Sequence, residues 1–236
     1  DCSVVIESDD ESAFEVVSSC QDEKSGAAKR KEAFYEIGID IGTTTIAINL
    51  VGGESHQICE SYSAVNRQRA YGADVVSRIQ ASNEGKREEL KHSIQKDLLD
   101  GICHVVREAG ISPAQITRVV IAGNTTMGHL FMGYSCESLG VYPFTPVNIK
   151  TISGTFLELF DTMPEEAEGF ANAKVTLLPG ITTYVGADIV AGMLYCNMDQ
   201  SEKPCLLIDL GTNGEMAVGK KDRFLVTSTA AGPAFE

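Results

Sequence analysis

The sequence is short of positive charge, has no long apolar run and holds no clustered cysteines. Its 19 Lys and Arg stand against 33 Asp and Glu, a net charge of −14. Such a field repels nucleic acid and anionic membrane, so neither is expected as a partner, although a local positive field around a nucleotide remains compatible with it. No apolar run approaches the roughly 20 residues of a membrane span, and no basic-then-apolar segment opens the sequence. The seven cysteines, at 2, 20, 59, 103, 136, 196 and 205, form no C-x-x-C, which excludes a locally built zinc knuckle or iron–sulfur motif. Dispersed in this way they read as reduced thiols of a cytoplasmic protein, most of them small core residues. A cluster shared between two copies of the chain, and with it a homodimer, stays open.

What is present is an ordinary globular composition, 43% hydrophobic and 22% charged, over 236 residues. That is enough for a sizeable core in one large domain or two small ones. Acidic residues crowd into 7–15 and 164–168, so part of the charge imbalance is surface or tail. There is no opening Met, and the chain stops at Gly232-Pro233-Ala234-Phe235-Glu236 in mid-pattern; the expectation is a piece of a larger protein.

Residues 1–33 are polar, with two short apolar patches at 4–6 and 14–17. They read as strands from a preceding domain followed by a linker over 21–32. From Phe34 the character changes. Ile37, Ile39 and Ile41 alternate with small or acidic residues, Gly42-Thr43-Thr44-Thr45 follows, and a second apolar run occupies 46–51: a hairpin with its turn at the threonines. Another strand is expected over 57–64. Residues 72–82 and 86–109 read as helices, the second carrying Leu90, Ile94, Leu98, Ile102, Val105 and Val106 at helical spacing and ending at Gly110. Then come a buried strand over 118–122, Gly123-Asn124-Thr125-Thr126 with a short helix to Phe131, a loop marked by Pro143 and Pro146, and a strand over 174–178. A small-residue helix over 186–196 precedes strands over 205–210, 215–219 and 224–227. The order predicts an α/β fold.

The opening motif recurs. Ile39-Asp40-Ile41-Gly42-Thr43-Thr44 is matched, about 170 residues later, by Ile208-Asp209-Leu210-Gly211-Thr212-Asn213. This duplication predicts two similar lobes, the first over 34–203 and the second beginning at 204–236. A Gly-rich hairpin turn with hydroxyl residues aims backbone N–H groups at an anion, and Gly42 and Gly211 let a phosphate approach the backbone closely. An Asp two residues before each Gly points into the same cleft, where it suits Mg²⁺ held through water. Phosphoryl transfer needs these parts: donors around the phosphates, a metal, and a carboxylate to orient the attacking oxygen. One D-x-G-T alone is more economically a tight turn; two copies between apolar strand halves favour phosphate binding. Gly123, Asn124 and Thr125 end a strand and begin a helix, a suitable place for an anion or substrate contact. Asp188 opens the 186–196 helix, either as a carboxylate favoured by the helix N-terminus or as a metal-linked group. Glu215 either faces the cleft or is an exposed strand residue. Asn66, Gln68, Asp74 and Arg78 either line a partner face, or Asp74 supports a helix start with Arg78 paired to it one turn on. His129, Met127 and Met132 read as core.

The stretches GIDIGTTTIAINLV (38–51) and LLIDLGTNGEMAVG (206–219) are similar to the phosphate-1 and phosphate-2 motifs of the ASKHA superfamily of acetate and sugar kinases, heat-shock chaperones and actin. LLPGITTYVGADIVAGMLY (177–195) falls where that superfamily has its first connecting helix. More narrowly, NRQRAYGADVVSRIQAS (66–82), IAGNTTMGHLFMG (121–133), YPFTPV (142–147) and TAAGPAFE (229–236) resemble the ATPase domain of the reductive activators of corrinoid proteins. The resemblance implies an actin-like, ribonuclease H-like fold whose second lobe is truncated here. It places Asp40 and Asp209 at Mg²⁺ and the catalytic centre, and it places Gly42, Thr43, Thr44, Thr45, Gly211, Thr212 and Asn213 around the phosphates of ATP. It implies an ATPase that couples ATP to the reduction of Co(II) to Co(I) in a corrinoid protein, its partner, with electrons from a [2Fe–2S] domain absent from this sequence. Within the same fold the alternatives are a small-molecule kinase and a nucleotide-gated interaction module. The adenosine-binding glycines that the superfamily keeps late in its second lobe are also absent from the sequence.

Overall fold

A computed structural model describes residues 2–10, 13–19, 32–211 and 213–230. The expected linker over 21–32, apart from Glu32, Thr212, and the end of the 229–236 motif from Ala231 on lie outside the described residues. In chain order the strands and helices are β1 (Cys2–Asp10), β2 (Ala13–Ser19), β3 (Tyr35–Ile41), β4 (Thr45–Gly52), β5 (Ile58–Val65), α1 (Val75–Ala81), α2 (Arg87–Ala109), β6 (Ile116–Gly123), α3 (Thr125–Met132), β7 (Ile152–Thr155), α4 (Phe156–Leu159), β8 (Lys174–Leu177), α5 (Ala187–Tyr195), β9 (Cys205–Leu210), β10 (Asn213–Lys220) and β11 (Arg223–Ala230).

They form two sheets. The first runs β5-β4-β3-β6-β8-β7 and the second β11-β10-β9-β1-β2. In the first, β3, β4 and β5 make an antiparallel meander, after which the chain crosses over through α1 and α2 so that β6 lies parallel to β3. A second crossover through α3 lays β8 parallel to β6. Parallel neighbours require crossovers of this length, which is why the helices fall where the periodicity places them. In the second sheet β9, β10 and β11 repeat the meander. The edge of β9 corresponding to the β6 side of β3 is occupied by β1, and there the pairing is antiparallel. This mixed α/β arrangement with a repeated meander is the fold class that the two motifs imply.

The core follows from the alternation read in the sequence. Tyr35, Ile37, Ile39 and Ile41 of β3 and Ile46, Ile48 and Leu50 of β4 are buried, while Gly38 and Asp40 take the opposite face. Helix α2 lays Leu90, Ile94, Leu98, Ile102 and Val105 into this core. Gly101 lets the helix come close to the sheet, because a Cβ there would lie 2.5 Å from Ile48 and 2.8 Å from Tyr62. The helix ends at Gly110, whose φ of 65° is the left-handed C-cap expected of glycine. Between α1 and α2 a single π-turn is broken by Gly85 at φ 96°.

Two elements escaped the periodicity. Strand β7 and the one-turn helix α4 cap the sheet edge, where β7 pairs antiparallel with β8; segments of four residues are too short to show a period. Cys103, Cys136 and Cys205 are buried thiols, as expected of small core residues. Leu98 has no exposed surface and sits at the centre of the α2 face. Leu98→Ala should therefore lower the unfolding free energy by about 2–5 kcal/mol in a urea or guanidinium titration; a loss below ~1 kcal/mol would show that α2 is not a core helix.

Candidate functional site

The parallel register sets the site. Asp40 lies opposite Ala122 on β6 and opposite Ala47 on β4, one residue from the ends of the strands. Beyond β6 the chain turns at Gly123, whose φ of 152° brings it against the Ile41 carbonyl, into Asn124 and helix α3. Asn124 caps α3 by accepting from Met127 N–H at 3.0 Å, and its Nδ2 donates to Thr43 Oγ1 at 3.0 Å. Thr125 donates its hydroxyl to the Thr182 carbonyl at 2.6 Å. The Gly123–Thr125 segment thus acts through its side chains as a brace between the first hairpin and the chain leading into α5.

Gly186 fixes that approach. A Cβ on it would lie 2.5 Å from Asn124 Cα and 2.7 Å from Thr125 N, so only glycine lets α5 start so close to the end of β6. Helix α5 then runs between the sheets, touching β6 of the first and β9 and β10 of the second. Its first turn carries Asp188, which accepts from Ile189 N–H at 2.8 Å. On the other side, Asp209 and Glu215 are directly opposed in the antiparallel β9–β10 ladder. Directly opposed like charges in a ladder repel. Glu215 is 9% exposed and accepts from Ser228 Oγ at 3.2 Å, so it faces the cleft and is not an exposed strand residue.

The four carboxylates feel one another. Burial, with the charges of Asp188 and Asp209 beside it, pushes Asp40 up from 3.8 to about 7. Burial raises Asp188 to about 6, with Asp209 adding to the rise and N–H donation from Ile189 opposing it. Glu215 is pushed up to about 7 by burial and by Asp188 and Asp209, against the hydroxyl of Ser228. Among the described residues none of Asp40, Asp188 and Glu215 has a Lys or Arg ion-pair partner. Among the same residues no three His, Cys, Asp or Glu side chains converge closely enough to ligate one metal directly. A cluster of this kind suits a hydrated divalent cation, met through water by carboxylates that a bare ion would have to draw together.

The first hairpin turn is held from behind. Asn66 Nδ2 donates to the Gly42 carbonyl at 2.9 Å, Arg78 Nη2 to that of Thr43 at 2.7 Å, and the Asn66 backbone N–H to that of Thr44 at 2.9 Å. Gly42 itself is packed so tightly that a Cβ would meet the Thr45 carbonyl at 2.4 Å. At the second hairpin, Gly211 N–H donates to the Asn213 carbonyl at 2.9 Å.

The sequence-derived site residues therefore divide. Asp40, Asp188, Asp209 and Glu215 come together, with Gly42, Thr43, Thr44 and Thr45 following Asp40 in the turn and Gly211 and Asn213 following Asp209. Asp74 is an N-cap, its carboxylate taking Ser77 N–H at 2.7 Å in a capping box. The partner-face reading gives way for Asn66, Gln68 and Arg78, which are fully buried; Arg78 gives its donors to carbonyls, and its charge and that of Asp74 attract without a close ion pair. The only signal for this role was a polar triplet followed by an Arg inside an otherwise apolar helix face. His129 is a core residue, Nδ1 toward the Thr125 carbonyl at 2.8 Å and Nε2 accepting from Val147 N–H at 3.0 Å. Met127 is buried, and Met132 packs half-buried against the same core. A pocket of about 30 Å³ lined by Gly123, Asn124, Thr125, His129, Gly180 and Ala187, among others, includes none of the four carboxylates. Among the described residues no helix is long and apolar enough to cross a membrane.

Residues 35–201 match the family described as the RACo middle region, and 203–236 the C-terminal domain of RACo, the ASKHA domain. The chain is 37% identical over 211 residues to the corrinoid activation enzyme RamQ of Eubacterium limosum, covering 88% of this chain and 34% of that protein. It is 26% identical over 216 residues to the [Co(II) methylated amine-specific corrinoid protein] reductase of Methanosarcina barkeri, covering 86% and 37%. A solved structure titled as a reductive activator for corrinoid, iron–sulfur protein superposes on 98% of this chain and 35% of its own, with a TM-score of 0.78 and 32% identity. The chain thus spans about a third of the length of these relatives. Their similarity over nearly all of it, together with the two family matches, shows that the chain belongs to the RACo family.

Proposed function

We propose that the cleft is the phosphate and metal half of an ATP site, and that its protein uses ATP to assist reduction of Co(II) to Co(I) in a corrinoid protein. The observation that carries this reading is the convergence of Asp40, Asp188, Asp209 and Glu215 beside a hairpin whose carbonyls are all turned inward. A peptide C=O and the N–H of the same unit point in opposite directions. With the carbonyls of Gly42, Thr43 and Thr44 accepting from Asn66 and Arg78, the N–H groups of Thr43, Thr44 and Thr45 face the other way, a concave donor set of the kind that cradles phosphate. The exposed hydroxyl of Thr45 adds a donor, whereas those of Thr43 and Thr125 are committed within the protein. By their match to the first motif, Gly211, Thr212 and Asn213 are assigned the second phosphate contact.

The residues fit Mg²⁺ with ATP. Asp40 and Asp209, with Asp188 behind them, would hold the ion through its water, and bound Mg²⁺ would neutralise charge on the phosphates and on the cluster. Asp209, opposed by Glu215, is placed to orient an attacking water, and Glu215, raised toward neutrality, is suited to accept a proton from it. The relatives' names speak of corrinoid activation and of a corrinoid protein reductase, which supports a corrinoid protein as the partner. Electrons would come from a [2Fe–2S] group outside this sequence. The test is ATP-dependent appearance of Co(I) in a corrinoid protein, followed by absorbance, in the intact protein; reduction that proceeds equally without ATP would overturn the reading.

Two outcomes follow for single residues. Asp209→Asn should lower ATP turnover by about 100-fold or more while leaving circular dichroism and melting close to wild type; turnover at the wild-type rate would remove Asp209 from the site. Asp40 gives a pH signature in the absence of nucleotide and divalent metal. Its folded pKa, about 7, is above the unfolded 3.8. The folded state therefore binds more protons between those values, and stability falls as pH rises from about 4 to about 7. Asp40→Asn removes that penalty. Its Tm at pH 7.5 should exceed wild type by about 3 °C or more, and its Tm should fall less between pH 5 and 7. Parallel wild-type and variant curves would show that Asp40 is not repelled by its neighbours.

A further inference from the structure

Arg78 is a cation with no solvent around it and, among the described residues, no carboxylate within ion-pair distance. Its guanidinium donates Nε to the Gly72 carbonyl at 2.9 Å and Nη2 to the Thr43 carbonyl at 2.7 Å, while Nη1 approaches Gln68 Oε1 at 3.5 Å and Met127 Sδ at 3.4 Å. Burial lowers its pKa from 12.5 to about 10, which leaves it protonated at neutral pH. A buried charge is tolerated when its donors are filled and a counter-charge is near. Here the donors are filled by neutral acceptors, and the one carboxylate among the described residues whose charge reaches the guanidinium, Asp74, lies outside ion-pair distance and caps α1.

Asn66 stands beside it, also fully buried. Its side chain holds the Gly42 carbonyl and its backbone N–H holds that of Thr44, while its Oδ1 is locked by Gln68 N–H at 3.0 Å. Gln68 is fixed in turn by its Nε2 on the Leu90 carbonyl of α2 at 2.9 Å. Three successive carbonyls of the turn are thus tied to two residues, those of Gly42 and Thr43 by side chains and that of Thr44 by the Asn66 backbone, with Gln68 linking Asn66 to α2.

We propose that Asn66 and Arg78 are positioning residues for the phosphate: they hold the N–H groups of Thr43, Thr44 and Thr45 toward the bound anion, and Arg78 sets a positive charge directly behind the turn. The inference rests on the phosphate-binding reading of the hairpin. It explains why a fully buried guanidinium is aimed at a backbone carbonyl of the turn and makes no close ion pair among the described residues. The ligand's phosphate, on the far side of the Thr43 peptide, adds a second negative charge to that of Asp74.

The test compares MgATP with adenosine in the intact protein. Arg78→Lys keeps the charge but replaces a planar fork by one ammonium, which cannot reach the Gly72 and Thr43 carbonyls in the same geometry. Asn66→Ser shortens the donor to the Gly42 carbonyl and keeps the backbone N–H on Thr44. Each variant should weaken MgATP binding by about tenfold, with adenosine affinity kept within about twofold. Asn66→Ser decides the matter should Arg78→Lys fail to fold, as judged by its melting curve. Equal losses for MgATP and adenosine would make the two residues merely structural, and unchanged MgATP binding would give them no role; either result overturns the proposal. A different result marks failure of the underlying reading: wild-type protein that binds MgATP no more tightly than adenosine has no phosphate site at this hairpin.

Discussion

Repulsion among carboxylates is the constraint to which the rest of this structure answers. Asp40, Asp188, Asp209 and Glu215 come from four different elements, and two of them are forced face to face by the β9–β10 register. Left to themselves such groups move apart or take up protons, and the values of Asp40, Asp188 and Glu215 are raised by burial first and by the neighbouring carboxylates second. The first response is prevented by backbone. Asp40 is fixed by ladders on both sides of β3, and Asp188 by Gly186 wedged under the Gly123–Thr125 turn. The divalent cation proposed for this cleft would relieve the cost of holding these like charges together.

The two halves of the cleft are similar in strand order but not in support. The first hairpin has β6 parallel at its side and a buried layer of Asn66, Gln68 and Arg78 beneath it, tied to α2. The second repeats the meander, yet beside β9 lies antiparallel β1 in place of a parallel crossover strand. What a turn can do chemically depends on what lies behind it. The same D-x-G-T pattern is anchored through its carbonyls in the first half, whereas Gly211 closes on Asn213 within its own turn in the second.

Much of this was legible in the chain because the informative residues are neighbours in sequence. Ile37, Ile39 and Ile41 reveal β3 by alternation, Leu90 to Val106 reveal α2 by helical spacing, and Gly110 marks its end. The duplication of Ile-Asp-x-Gly-Thr points to two lobes and to Asp40 and Asp209. What stayed hidden depends on distant partners. Sequence offers Arg78 a carboxylate four residues away at Asp74, and nothing local shows that its acceptor is the Thr43 carbonyl, 35 residues earlier. Glu215 was undecided for a similar reason: its face is set by the register that opposes it to Asp209. Strand β7 and helix α4 are four residues each, and their identity comes from pairing with β8 and from a capping box, not from periodicity.

Considered together, the two sides of the first hairpin specify more than either does alone. The charges on the cleft side are carboxylates, which favour a cation and disfavour a bare polyanion. The buried side offers a guanidinium with no acid in ion-pair contact among the described residues, which favours an anion across the turn. A free phosphate would satisfy Arg78 and the turn's N–H groups but meet Asp40, Asp188 and Glu215 unshielded. A free cation would satisfy the carboxylates and leave the turn's N–H groups without an anion. A phosphate carrying its own divalent metal satisfies both sets at once, with the metal toward the acids and the oxygens toward the turn. The two faces of Gly42–Thr45 therefore fit the proposed ligand, a phosphate carrying its own divalent metal, better than either component alone.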